Sequence, residues 1–375
     1  MGAVRHLYVH LPFCASRCGY CDFVTVVGRR GQHGGYVDAL LAELALERGQ
    51  LADELDTVFL GGGTPTFTAA DELARLLEAL PRAAELTVEA NPETVTPGLA
   101  RLLSRHRVNR VSIGAQSFNT ALLEVLERRS RPDDVKRAVY AFRDAGFDNI
   151  SLDLVYGIPG QSASDLQRDL EEALALEPEH LSCYELEAKP GTRFTHTYGD
   201  ELVRQSEAME DYFERVVRTL TSAGYRWYET ANFCRVPERA GGRDLRARHN
   251  LAYWLGRDYL GLGIGAVSTV AGLRWRNAAG LGRYLAALAR GESPPRELEP
   301  LDPTVRRTER VLLGLRLDQP LPLAGVDEAI DGAALDRLER MGLARRTRTG
   351  LGAPALALTH RGRFVGGGVT ADLLA

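Results

Sequence analysis

Lysine is almost missing from this chain: of 46 basic residues only Lys136 and Lys189 are lysine, and the remainder are arginine. Set against 50 acidic residues this leaves a formal charge of −4 and a pI near 6.1. No basic excess is available to neutralise a phosphate backbone, so a nucleic-acid footprint finds no support. The arginine bias, alongside abundant Ala and Gly, reads as coding bias. Long apolar runs are missing as well. No stretch approaches the ~20 residues that cross a bilayer, and no charged-then-apolar leader opens the chain. A cytoplasmic location is expected. Cysteine numbers five, which suits a reducing compartment better than a disulfide framework.

Three of those five, Cys14, Cys18 and Cys21, stand within eight residues in C-x3-C-x2-C spacing, directly after an apolar strand-like run. A [4Fe–4S] cube has four irons and is usually held by four thiolates. Three ligands leave one iron open, which suits a metal that chelates a substrate. A structural zinc site is the alternative, and it wants a fourth Cys or His, for which His10 and His33 are the local candidates. Cys183 and Cys234 stand apart and read as buried structural thiols.

Strand-like runs occur at His6–Leu11, Asp56–Leu60, Glu85–Ala90, Arg110–Ile113, Ile150–Tyr156 and Leu181–Leu186, each followed by a helical pattern. Between them, apolar residues at 36, 37, 40, 41 and 44 mark a helix, and Thr68 is placed to cap the next one, through Leu80. Six β/α units are fewer than the eight of a closed barrel. The expected fold is α/β, a partial (β/α)6 barrel over residues 1–290 including its C-terminal extension. A further strand is expected at Arg226–Thr230. Prolines 294, 295, 300 and 303 suggest a linker. Residues 291–375, with helices near 304–315, 323–330 and 333–341 and two β-like runs, suggest a small winged-helix-like domain. The arginine-rich 337–348 run reads as a solvated face.

Polar residues gather at the expected strand ends, where α/β folds carry their chemistry. Gly61-Gly62-Gly63-Thr64-Pro65 allows close backbone approach to a ligand. Glu89, Gln116 and Asp153 follow at later strand ends, with Arg128 on the helix after Gln116. An arginine fork suits a carboxylate, and Asp or Gln suits ribose hydroxyls.

These residues resemble the radical S-adenosylmethionine (SAM) family, and Tyr8-x-His10-x-Pro12-Phe13-Cys14, the Gly-Gly-Gly-Thr-Pro run and Asp153–Gly160 are similar to its coproporphyrinogen-oxidase-like branch. The resemblance runs the length of the chain. It implies a [4Fe–4S] cluster on Cys14, Cys18 and Cys21, and SAM held by Tyr8, Tyr20, Gly62, Gly63, Thr64, Glu89, Gln116, Arg128 and Asp153, with Val267 as a further contact. Within the branch, the oxygen-independent coproporphyrinogen III oxidase carries another Cys two positions after the third, where this chain has Phe23, and has an N-terminal extension ahead of its first strand. A haem-chaperone member carries H-N-x-x-Y-W, matched by His249–Trp254. The resemblance therefore implies haem bound through His249, with aromatic neighbours for the porphyrin, and delivery to haem-requiring respiratory membrane proteins by peripheral contact. The oxidase, a radical SAM oxidative decarboxylation, is the alternative. A winged-helix nucleic-acid binder with a structural metal is a third reading. A homodimer is allowed for, and enzymatic activity is left open. Val267 and Ser130 stand where related sequences often have His.

Overall fold

The computed structural model describes residues 3–189, 193–237 and 242–374. Its main body is a nine-stranded sheet. The strands of the six repeating units are β1 (His6–Leu11), β4 (Leu55–Gly62), β5 (Ala83–Ala90), β6 (Arg110–Gln116), β7 (Ile150–Tyr156) and β8 (His180–Glu185). They lie side by side in chain order and all run parallel. The intervening β2 (Phe13–Cys14) and β3 (Val26–Val27) form a separate two-stranded clip around the cysteine loop. Beyond β8, the hairpin of β9 (Tyr225–Trp227) and β10 (Asn232–Arg235) continues the sheet antiparallel, and β11 (Leu260–Leu262) adds a parallel strand beside β1. The sheet is the expected partial barrel.

Period-two alternation sorts its two faces. In β1 the apolar Leu7, Val9 and Leu11 are fully buried against helices, each contributing roughly 1.5–3 kcal/mol by burial. Tyr8 and His10, pointing the other way, face the concave interior. That interior also takes Thr57, Glu85, Glu89, Arg110, Ser112, Asp153 and His180, so the barrel is apolar outside its strands and polar within. The covering helices are α1 (His33–Glu47), α2 (Ala70–Ala79), α3 (Pro97–Arg105), α4 (Thr120–Val125), α5 (Pro132–Asp144), α6 (Ala163–Ala175) and α7 (Arg193–Ser222). A short helix, α8 (Arg248–Trp254), packs against β4 on the interior side.

Three local expectations are corrected. Thr68 is not a helix cap: Pro65 starts its own tight turn through Phe67, which leaves Thr68 buried at the turn's end. The helix begins instead after Ala69, whose N–H donates to His33 Nδ1 at 3.1 Å. The strand expected over 226–230 ends at Trp227, because the Glu229 carboxylate accepts from the Ala231 N–H and Asn232 Nδ2 while its carbonyl accepts the Asn232 N–H, which turns the chain. The proline-marked linker holds a strand. In the three-stranded sheet of β12 (Val267–Val270), β13 (Leu273–Asn277) and β14 (Arg296–Pro300), β14 takes the edge, where a terminal proline is tolerated. The helix α9 (Leu281–Ala289) precedes it.

The C-terminal segment has a core of its own around Val311, Leu335, Leu338, Leu356 and Leu373. It comprises α10 (Pro303–Gly314), β15 (Leu321–Pro322), α11 (Gly332–Arg340), β16 (Ala344–Arg348), β17 (Pro354–Leu358), α12 (His360–Phe364) and α13 (Gly366–Leu373). Of the helix expected near 323–330 only a turn at Asp327–Ala329 forms. Arginines of the 337–348 run pair with neighbouring carboxylates, Arg337 with Asp372 and Arg346 with Asp336 and Glu339. Among the described residues no helix is long and apolar enough to cross a membrane.

One buried carboxylate ties the extension to the barrel. Glu43 of α1, fully buried, accepts from Tyr284 Oη at 2.6 Å, Asn277 Nδ2 at 2.7 Å and the Gly263 N–H at 2.8 Å. Glu43→Ala strands three donors in a dry interior, and is expected to lower stability by roughly 3 kcal/mol in urea unfolding.

Candidate cluster and cofactor site at the strand ends

The cysteine loop leaves β1 at Leu11, and the clip closes it: Val26 and Gly28 N–H groups donate to the Pro12 and Cys14 carbonyls at 2.8 and 2.9 Å. Cys14 is buried, and Cys18 and Cys21 are half-buried. Burial raises the Cys14 and Cys21 thiols above their usual pKa, with the neighbouring cysteines adding to the shift. A bound metal reverses that by taking the thiolate form.

Two of the three thiols, Cys14 and Cys18, are linked to the strand ends by a continuous polar chain. Cys14 Sγ lies 3.5 Å from Thr64 Oγ1, which accepts from Asn91 Nδ2 at 3.1 Å. Asn91 Oδ1 in turn accepts from Arg128 Nη2 at 3.1 Å, and Arg128 Nη1 reaches Cys18 Sγ at 3.6 Å. Arg128 also donates to the Gly114 carbonyl at 2.8 Å. Its Nε is buried with no hydrogen-bond partner. Asn91 is the residue that sequence reasoning passed over, although it sits in the same Val-Glu-Ala-Asn-Pro segment as Glu89.

The glycines are required by contact. A Cβ on Gly62, whose φ is +110°, would fall 2.4 Å from the His10 ring, and one on Gly63 would fall 2.5 Å from the Pro12 carbonyl and 3.0 Å from Cys14 Sγ. Glu89 Oε2 accepts the Gly62 N–H at 3.1 Å. Burial and the nearby Asp153 carboxylate push the Glu89 pKa to about 8. Asp153 is likewise raised by burial, against the pull of Arg110, and accepts both ways from Ser112 Oγ at 3.1 Å. Gln116 ends β6 at φ +65°, past a register shift. A left-handed non-glycine at a strand end re-aims its side chain. Tyr20 packs beside Leu122, Leu126 and Phe194, close enough to Arg128 and Cys18 to feel their charge. Tyr8 Oη lies 3.0 Å from His10 Nδ1. Val267 lies across a cavity of about 230 Å³ that Tyr8, His10 and Phe23 also line.

His249 lies deeper in the barrel interior, its ring centroid 6.5 Å from that of Tyr8. It is 1% exposed, stacked on Phe59 with centroids 5.2 Å apart. Nδ1 lies 2.7 Å from Thr57 Oγ1 and Nε2 2.8 Å from Tyr253 Oη, so both ring nitrogens are engaged. Burial lowers its pKa to about 3.

Among the described residues no three His, Cys, Asp or Glu side chains converge on one ion position. A cube needs no such convergence, since each thiolate binds a different iron on a larger body. A loop of three thiols, a neighbour that must be glycine and an arginine nitrogen without a partner fit such a group.

The radical SAM superfamily model matches residues 8–173, the part that carries the cysteines and all strand ends just described. The fold and site define a radical SAM protein. Within that superfamily the chain belongs to the HemW family: it is 35% identical to "Heme chaperone HemW" of Mycobacterium tuberculosis over 391 residues, covering 98% of this chain and 94% of that one. The Bacillus subtilis HemW is 32% identical with 97% of both chains covered, and that of Escherichia coli K12 is 37% identical over 69% of this chain and 68% of its own. Escherichia coli coproporphyrinogen III oxidase (HemN) superposes with a TM-score of 0.81 over 99% of this chain and 90% of its own at 22% identity, which establishes a shared fold.

Two outcomes follow from the geometry. Gly63→Ala pushes the Pro12–Cys14 segment away and is expected to cut iron retained after anaerobic reconstitution by more than half, measured as iron per chain. His249, and His10 at about 4, are held uncharged in the fold while their unfolded pKa is near 6.5. The unfolded chain then binds more protons between about pH 3 and 6.5, so stability falls as pH drops through that window. His249→Gln removes its share, on the order of 3 kcal/mol at about pH 4, visible as a flatter plot of unfolding free energy against pH.

Proposed function

We propose that this protein binds haem and hands it to haem-requiring proteins, respiratory membrane proteins among them, by peripheral contact from the cytoplasm, either as a monomer or as a homodimer. The observation that carries this reading is membership of the HemW family across nearly the whole chain, with His249–Trp254 intact and Phe23 in place of the extra cysteine. Barrel and C-terminal segment are read as two domains, 1–290 and 291–375, with β14 linking them.

A [4Fe–4S] cluster on Cys14, Cys18 and Cys21 and a SAM molecule at the strand ends complete the proposal. When bound, they supply one-electron chemistry that belongs to the cofactors. The chain's own part is positioning. Arg128 offers a buried cation for a carboxylate. Gly62, Gly63 and Thr64 present backbone and hydroxyl to an amino group. Glu89, largely protonated at neutral pH, offers a polar contact without a second full negative charge beside Asp153. Gln116 and Asp153 offer acceptors to ribose hydroxyls, and Tyr8, Tyr20 and Val267 wall the site.

His249 is proposed as the haem ligand. Ligation through Nε2 requires that nitrogen to exchange the Tyr253 hydroxyl for iron. Absorbance titration with haem under anaerobic conditions tests this. Stoichiometric binding is expected, weakened about tenfold or more by His249→Ala and strengthened by Tyr253→Phe, which frees Nε2. Absence of specific haem uptake overturns the reading, and turnover of coproporphyrinogen III with SAM and a reductant would then favour the oxidase.

A further inference from the structure

A cavity of about 730 Å³ opens between α8, the β12–β13 edge and α10 of the C-terminal segment. Its volume falls within the ~300–1,000 Å³ range of small-molecule sites. Tyr253, Trp254 and Tyr259 contribute aromatic wall, and Tyr253 and Tyr259 meet nearly edge to face with centroids 4.6 Å apart. Five arginines line it against two carboxylates, Asp258 and Glu309. Arg274 is paired with Glu309 at 2.6 Å, and Arg307 with Glu328 at 3.2 Å. Arg257, Arg306 and Arg310 have no carboxylate within ion-pair distance among the described residues. Arg310 donates Nη1 to the Trp254 carbonyl at 3.1 Å, and burial together with the Arg257 charge weakens its hold on its proton. Three guanidiniums that form no ion pair among the described residues, gathered around an aromatic cavity where arginines outnumber carboxylates, are arranged for an anionic ligand with a flat apolar body.

We infer that this cleft is where the tetrapyrrole is held: its ring lies against Tyr253, Trp254 and Tyr259, and its two propionates pair with Arg257, Arg306 and Arg310. The inference rests on the haem-binding reading above and adds the location and the charge chemistry. It gives the C-terminal segment a part in the site, since α10 supplies two of the three guanidiniums. Tyr253 has its ring in the cleft wall and its hydroxyl on His249, so the iron of a ring held in the cleft reaches Nε2 only when Tyr253 swings aside, the same exchange that ligation through His249 requires. Tyr253 and Tyr259 also line the smaller cavity beside Tyr8 and His10, which separates bound tetrapyrrole from the cysteine loop by one aromatic layer.

Arg257 and Arg306 are exposed, so replacing them leaves the core intact. Soret titrations of the full-length protein with haem and with haem dimethyl ester compare wild type with the Arg257→Gln, Arg306→Gln double variant. The expected result is haem affinity weakened about tenfold or more in the variant, with the uncharged ester changed by less than about twofold. If wild type binds haem and the variant binds it equally well, the cleft is not the site and haem binding stands. Equal weakening toward haem and its ester overturns the propionate pairing. If wild type takes up no haem, the haem-binding reading falls and this inference with it.

Discussion

Arg128 is shared among Asn91, the Gly114 carbonyl and the Cys18 sulfur, and the site is arranged around that sharing. A buried guanidinium is costly unless its donors are met. Here the terminal nitrogens are met by groups from three separate β/α units, the cysteine loop through Cys18, β5 through Asn91 and β6 through Gly114, with Thr64 of a further unit joined through Asn91. Each partner is thereby held in register with the others. One donor, Nε, is left over in a dry place, and it is the natural point of contact for an incoming anion.

The same economy of charge organises the interior. Arg110 stands within electrostatic reach of Glu85, Glu89 and Asp153, so one cation serves three buried carboxyls. With too few cations for three full charges, burial raises the Glu89 pKa to about 8 and pushes that of Asp153 upward as well. The strand-end cavity is consequently less negative than its composition suggests. The cleft beyond Tyr253 has the opposite imbalance, five arginines against two carboxylates. The two sides of that tyrosine are suited to different ligands.

Much of this was legible because it is local. The three cysteines, the Gly-Gly-Gly-Thr-Pro turn and His249–Trp254 are contiguous in sequence, and alternation in β1 or the apolar period of α1 needs no knowledge of the rest of the chain. What was not legible depends on distant partners. Asn91 looks like an ordinary residue before proline until Thr64 and Arg128 arrive from other units. Thr68 has the identity of a cap but is pre-empted by Pro65. The prolines from 294 to 303 look like a linker until β13 offers them an edge. His249 matches a ligand motif, yet its burial follows from α8 docking inside the sheet against Thr57 and Phe59, a contact across nearly two hundred residues.

The most direct test of the account is whether the three-cysteine loop holds a cluster with one iron open to a SAM molecule seated at Arg128. Electron paramagnetic resonance of the reconstituted, reduced protein, recorded before and after adding SAM, reads this directly. A [4Fe–4S] signal that changes shape on SAM addition in wild type, and not in Arg128→Ala, is predicted. A signal that SAM leaves unaltered in wild type, or iron bound as a single ion, would contradict it.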